Sequence, residues 1–378
     1  MKIVVAPDSF KGSLTSLEAA EAIKKGIHEV IPDADVVLKP MADGGEGTLE
    51  ALLMAANGEK VELTSSGPLG DWISTHYGII HGTTAVIECA SIAGLTLVPQ
   101  HLRNPELTTT YGIGEAILHA LDKGCSSIII GLGGSSTNDG GLGMLLALGM
   151  EALDDEGNPV EGFGKDLAFV NQISFQNLDP RLKDITIQVA CDVDNPLCGL
   201  KGASYVYGPQ KGATQEQVQK LDQALKRFGS LVENELNREP GELMDYPGAG
   251  AAGGLGFAFL ALGGNLISGA HLVANSMNLE KEIQDAELVI TGEGQSDEQT
   301  LYGKAPGYVQ EVSSKYNVPV LLVSGGLKGD IDLLLSKFVG CFSIVNCPQS
   351  LEECMTNGEQ LLYRQIKNIM SFYKNLLK

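Results

Sequence analysis

The feature that most narrows the fold is an alternation of strand and helix at both ends of the chain, with a long stretch of different character between. "KIVVAPDSF" is a compact β-branched run that breaks at Pro7 into a polar loop, as a buried strand does. Leu17, Ala20, Ile23, Ile27 and Val30 then recur at helical spacing, and Thr15 with Glu18 forms the S/T-x-x-E capping box that opens a helix. "DVVLKP" predicts a second strand, and "TLEALLMAANG" a second helix stopped at Gly58. Near the other end "AELVITGEG", "APGYVQEVSSKYN", "VPVLLVSGG" and "FVGCFSIVN" repeat the pattern before a final helix. Such alternation places strands in a parallel sheet covered on both faces. The middle, residues 61–283, carries strands of its own, "AVIECAS", "SSIIIGLGG" and "ITIQVACDV". The expected fold is therefore α/β with two domains: residues 1–60 plus 284–378 fold together, and 61–283 form an inserted mixed α/β domain that closes over them.

Bulk properties bound the function. A chain of 378 residues is long for one core. Acidic side chains outnumber basic ones 47 to 26, giving a net charge of −21, so the broad basic footprint of a nucleic-acid binder is missing. An anionic substrate would then need a locally positive site made from backbone N–H groups, a few lysines or a bound cation. Seven cysteines without a CxxC pair make a disulfide framework or a zinc knuckle unexpected. No apolar run approaches the roughly 20 residues of a membrane span, so a soluble, cytoplasmic protein is expected. The sequence leaves room for a homo-oligomer and gives no sign of a macromolecular partner.

In open α/β sheets ligands sit beyond the carboxyl ends of strands, and this chain keeps its glycines and polar residues there. "APDSFKGS" offers Asp8, Ser9 and Lys11, either a capped surface turn or a site where Lys11 meets a carboxylate or phosphate and Ser9 and Asp8 bond hydroxyls. "MADGGEGT" sets Asp43 and Glu46 among three glycines, a tight turn that can also ligate Mg²⁺ or hold hydroxyls. "GLGGSSTNDGG" follows a strand and precedes the helical "LGMLLALG". Its backbone N–H groups are expected at a helix N-terminus that favours an anion, with Ser135, Ser136, Thr137 and Asn138 adding donors and Asp139 free to turn toward a metal. It is not a Walker A loop, because no G-x-x-x-x-G-K-[ST] occurs in the chain. "TGEGQSDEQTLYGKAPG" groups Glu293, Asp297 and Gln299 with Lys304, the acids and the lysine that phosphoryl transfer needs. "ACDVDNPLCG" adds Asp192, Asp194 and Asn195 after a middle strand. "GAGAAG", Gly248 to Gly253, matches G-x-G-x-x-G, but no strand precedes it and no acid follows until Glu280, so it reads as the start of a tightly packed helix.

Taken together, these loops resemble the bacterial glycerate kinase family that includes the glycerate 2-kinases. The likeness runs in order from "KIVVAPDSFKGSLTSLEAAEAI" through "MADGGEGTLEAL", "GLGGSSTNDGGLGML", "CDVDNPL" and "GAGAAGGLGFA" to "ITGEGQSDEQTLYGKAPGYV". The resemblance implies ATP-dependent, Mg²⁺-assisted phosphorylation of D-glycerate, with 2-phosphoglycerate as product. It also implies that the discontinuous domain is Rossmann-like and that the active site lies in the cleft between the domains. On that basis Asp8, Ser9, Lys11 and Asp192 are the expected substrate contacts, with Lys11 and Ser9 on the carboxylate. Asp192 or Asp43 would accept the hydroxyl proton, and Lys304 would neutralise the transferring group. The nucleotide phosphates would lie on Gly133, Gly134, Ser135, Ser136, Thr137 and Asn138, with Mg²⁺ held by some of Asp43, Glu293 and Asp297. The competing classes are an NAD-dependent hydroxy-acid dehydrogenase and a non-catalytic nucleotide or organic-acid binding protein. A merely binding protein gains nothing from carboxylates gathered at an anionic ligand.

Overall fold

The protein is described from a computed structural model covering residues 1–42, 44–45, 47–302 and 304–376. The chain divides into two compact units, one made of Met1–Asp43, Glu50–Ala55 and Ser268–Lys378, the other of Gly44–Leu49 and Ala56–Ile267.

The first unit is built on a five-stranded sheet in the order Gly340–Ser343, Val320–Ser324, Leu288–Thr291, Lys2–Val5, Asp35–Leu38, parallel throughout. The N-terminal strand lies inside this sheet with Ile3 registered on Leu288, so the two chain ends are joined through backbone hydrogen bonds. Its Ile3, Val4 and Val5 are fully buried, which is why this stretch is a continuous apolar run rather than an alternating one. The helix Ser16–Val30 starts at the expected box: Glu18 N–H donates to Thr15 Oγ1 and Thr15 N–H donates to the Glu18 carboxylate. Its Ala19, Ala20, Ile23 and Ile27 share a core with Leu362, Ile366 and Ile369 of the last helix, Gly358–Leu376. The helix Thr48–Ala56 ends two residues short of Gly58: Asn57 takes the left-handed turn at φ 48°, a conformation an asparagine tolerates.

The second unit holds a six-stranded mixed sheet, ordered Asn265–Ile267, Thr186–Ala190, Ser127–Gly131, Thr84–Glu88, Trp72–Ile80, Glu59–Ser66. The first four strands run parallel, and the last two form an antiparallel hairpin on the edge. Ile128, Ile130, Ile187 and Val189 pack with Ile113, Ile117, Leu142, Leu145, Leu255 and Phe259 in a separate core. All seven cysteines are free, and among the described residues no helix is long and apolar enough to cross a membrane.

Candidate active site

Within the second unit the loop after Ser127–Gly131 meets the glycines after Ala42. Gly133 N–H points at the Gly44 carbonyl at 3.4 Å, and a Cβ on Gly133 would lie 2.5 Å from Gly45 Cα. Only hydrogen at that position lets the two backbones approach so closely. Gly133 and Gly134 reach the surface, whereas Ser135, Ser136, Thr137, Asn138 and Asp139 are all buried. Most side chains in this run are committed to the scaffold. Ser136 Oγ donates to the Ala93 carbonyl, Asn138 Nδ2 donates to Ser204 Oγ, and Ser135 Oγ accepts from Lys211. Among the described residues Thr137 Oγ1 and Asn138 Oδ1 are buried without a partner, and such orphans are uncommon except where something else completes them.

Two expectations for this loop need correction. Asp139 is not turned toward a metal: its carboxylate accepts from Thr110 N–H at 2.8 Å, Thr110 Oγ1 at 2.7 Å, Gly141 N–H at 3.2 Å and Gly143 N–H at 3.3 Å. It thereby fills the N-terminus of the short helix Leu142–Ala147, so the anion at that helix end is the protein's own. Burial pushes the Asp139 carboxyl above its ordinary range, against the downward pull of those hydrogen bonds. "GAGAAG" likewise does not simply start a helix. Ala252, Gly253 and Gly254 have φ of 52°, 73° and 95° inside the helical span Ala251–Ala261, and the Gly253 carbonyl accepts from Gly140 N–H at 2.9 Å. The segment buttresses the loop.

Beneath the same loop lies Lys211, which the sequence reading passed over. It ends the turn Pro209–Lys211 at 2% exposure and donates from Nζ to Ser135 Oγ at 2.8 Å and to the Thr137 carbonyl at 2.6 Å. Burial lowers its pKa to about 8, partly offset by Cys89 and Asp139. The Cys89 thiol is itself pushed up to about 12 by burial and stays neutral. The buried ammonium therefore opposes folding below about pH 8, and that cost lifts as pH rises from about 8 toward the unfolded value of 10.5. From this gap the stability difference between Lys211→Met and wild type should shift by about 3 kcal/mol in favour of wild type between pH 7 and pH 10.5, measurable by urea unfolding at each pH. Glu88, at the end of Thr84–Glu88, is a second residue the sequence reading did not single out. It is buried and accepts from Leu49 N–H at 2.8 Å.

Asp192 lies two residues beyond Thr186–Ala190, whose Ala190 registers on Gly131, and it is exposed. Asn195 is tied down, donating to the Lys201 carbonyl and accepting from the Tyr207 hydroxyl.

In the first unit the loops after Lys2–Val5 and Leu288–Thr291 run together. Asp8 N–H donates to the Gly292 carbonyl at 2.8 Å, and a Cβ on Gly294 would sit 3.3 Å from Lys11 N. Asp8 is buried with its carboxylate on Ser9 N–H, Ser9 is half-buried, and Lys11 is exposed. Glu293 is buried and accepts from Ser296 Oγ at 3.0 Å, Thr300 Oγ1 at 2.6 Å and Lys304 Nζ at 3.4 Å. Lys304 stands at the N-cap of the helix Ala305–Lys315, aimed by Glu293. Asp297 caps the turn Glu298–Leu301 through Gln299 N–H. Asp43, Glu46 and Gly303 fall outside the described residues. Among the described residues no three His, Cys, Asp or Glu side chains are grouped to hold a metal, and Glu293 and Asp297 supply hard carboxylate oxygens. Magnesium is usually bound through one or two carboxylates plus substrate phosphates, so such a donor set fits an ion that arrives with a nucleotide.

Residues 3–374 match the sequence profile of the glycerate kinase family. The chain belongs to that family. It is similar to the glycerate kinase of Halalkalibacterium halodurans, 46% identical over 97% of both chains. It is also similar to the glycerate 2-kinase of Escherichia coli K12, 45% identical over 98% of this chain and 97% of that one. A crystal structure from Salmonella typhimurium LT2 bearing the name glycerate kinase 2 superposes with a TM-score of 0.89 at 43% identity, over 99% of this chain and 98% of that one. The α/β architecture, with one parallel and one mixed sheet, is thus that of a glycerate kinase family member.

Proposed function

We propose that this enzyme transfers the γ-phosphoryl group of ATP to D-glycerate and releases 2-phosphoglycerate and ADP. The observation that carries the reading is that each unit carries functional loops at the carboxyl ends of its own parallel strands, a Gly-rich backbone in one and lysines with carboxylates in the other, in a chain nearly half identical to a named glycerate 2-kinase along its whole length. The orphaned Thr137 hydroxyl, a potential donor three residues from the surface-reaching Gly134, fits a loop completed by a phosphate-bearing ligand.

In this reading Lys11 and Ser9 hold the glycerate carboxylate and Asp8 bonds a hydroxyl. The 2-hydroxyl oxygen attacks the γ-phosphorus, the bond to the β–γ bridging oxygen breaks, and the hydroxyl proton passes to Asp192 or Asp43. Lys304, oriented by Glu293, neutralises charge on the transferring group. Bound Mg²⁺ supplies charge neutralisation at the phosphates, with Asp43, Glu293 and Asp297 as the carboxylates that would hold it.

The test is to incubate the protein with ATP, Mg²⁺ and D-glycerate and to follow ADP release with the phosphorus NMR of the product. A 2-phosphoglycerate signal is expected; 3-phosphoglycerate would overturn the position, and absence of turnover with intact ATP binding would return the protein to the binding class. Lys304→Ala should lower kcat by about 10²–10³-fold with little change in the KM for glycerate. Lys11→Ala should raise that KM at least about tenfold, the loss of a charge-assisted contact.

A further inference from the structure

An anionic ligand on the Gly131–Gly141 loop needs a positive field in a chain of net charge −21, and the usual source is already taken: Asp139 occupies the N-terminus of Leu142–Ala147. Among the described residues a cation touches the loop from within. Lys211 Nζ holds the Ser135 hydroxyl and the Thr137 carbonyl, and both partners are neutral. The ammonium cannot easily swing out, because its turn is clamped: Gly212 sits at φ 94° with Arg103 so near that a Cβ would lie 2.2 Å from the Arg103 carbonyl oxygen. Among the described residues the charged or titratable groups that face it are Asp139, whose carboxylate is spent on Thr110, Gly141 and Gly143, and the Cys89 thiol. A fully buried charge without a contacting counter-ion is costly, and it persists where the surroundings are completed by something else.

We propose that Lys211 is a positioning residue that supplies the fixed positive charge under the nucleotide-phosphate loop, so that phosphate binding and protonation of Lys211 favour one another. The proposal rests on the kinase reading above. Its sign follows from linkage. A bound polyanion raises the pKa of Lys211, so affinity is full where the lysine is charged in the free enzyme, below about pH 8, and falls as pH rises above that value. The terminal phosphate of ADP, whose own ionisation lies at about pH 6, contributes no change in that window.

The experiment is calorimetric titration of the full chain with ADP and Mg²⁺ from pH 7 to 9.5, in two buffers of different ionisation enthalpy. For wild type we expect proton uptake on binding near pH 8 and a dissociation constant that weakens up to about tenfold per pH unit above it. Lys211→Met should bind ADP at least about tenfold more weakly at pH 7 with no such pH dependence, while the KM for glycerate stays within about twofold. Lys211→Arg, charged at every pH, should keep most of the pH 7 affinity and lose the pH dependence. A folded Lys211→Met with wild-type affinity and profile would overturn the proposal. So would a flat wild-type profile without proton uptake, whether or not the variants fold. If wild type turns over glycerate and binds ADP with that flat profile, only this inference fails; if it neither binds ADP nor turns over, the kinase reading fails with it.

Discussion

Gly253→Ala is expected to lower stability by about 2–5 kcal/mol and kcat/KM by about a hundredfold or more. The reason is local and double. Gly253 sits at φ 73°, where an L side chain is strained by about 1–2 kcal/mol, and its missing Cβ would lie 2.0 Å from the Thr137 carbonyl oxygen and 2.7 Å from Asn138 Cα. Those atoms are backbone, so no rotamer change relieves the overlap. Thr137 would have to move, taking with it the carbonyl on which Lys211 rests. Shifts of about an ångström in a positioning segment cost about a hundredfold in rate. The same interlock continues at Gly254, whose Cβ would lie 2.7 Å from Gly140 Cα, and at Gly141, whose Cβ would lie 2.3 Å from Ala258 Cβ. Ala252→Gly, at φ 52° with its Cβ already accommodated, is the matched control and should stay within about 1 kcal/mol of wild type. Urea midpoints and steady-state kinetics on both variants decide the matter, and a Gly253→Ala enzyme indistinguishable from wild type would show that the two segments are not locked together.

The second large effect is expected at Asp139. Alanine there leaves Thr110 N–H, Gly141 N–H and Gly143 N–H without an acceptor in a fully buried setting, and removes the acceptor of the Thr110 hydroxyl, which itself accepts from Met144 N–H at 2.9 Å. Each buried donor so orphaned costs about 1–3 kcal/mol, and with partial relaxation a total of about 3–5 kcal/mol is expected, a large part of a typical domain's stability. Asn at this position keeps one acceptor oxygen and the shape, so Asp139→Asn should lose less than Asp139→Ala. The pH dependence distinguishes this carboxylate from a surface ion pair. Its folded pKa is raised above the unfolded 3.8, so the charged form costs stability as pH rises through that window, and Asp139 should not be a source of acid unfolding. Acid titrations of wild type and Asp139→Asn should therefore not show the variant gaining in relative stability as pH falls; such a gain would contradict the assignment.

The fold was readable because its signals are local. Val4 and Val5 in an unbroken apolar run, the Thr15–Glu18 box and the strand-end glycines each follow from short-range chemistry, and the resulting α/β alternation is the one observed. The parts of the site that escaped depend on distant chain. Lys211, in "GPQKG", looks like any solvated lysine, since lysine is almost never fully buried; only the packing of a turn 74 residues from Thr137 turns it inward. Asp139 looked like a metal ligand because its four donors come partly from Thr110, 29 residues away in sequence. Ala252 is an alanine in a left-handed conformation, which no propensity scale would assign.

The pairing of Ile3 with Leu288 has a consequence for how the protein is made. A ribosome adding about 5–20 residues per second needs roughly a quarter of a minute to a minute to travel from the one to the other. Throughout that time the nascent "KIVVA" has one edge without its neighbour, an apolar strand of the kind that invites pairing with other chains. The middle unit, whose strands all lie between Glu59 and Ile267, holds its own partners and can close while synthesis proceeds. Yield from a fast expression host should thus be governed by the waiting N-terminus, and slower translation or a holding chaperone should raise the soluble fraction more than any strengthening of the middle core.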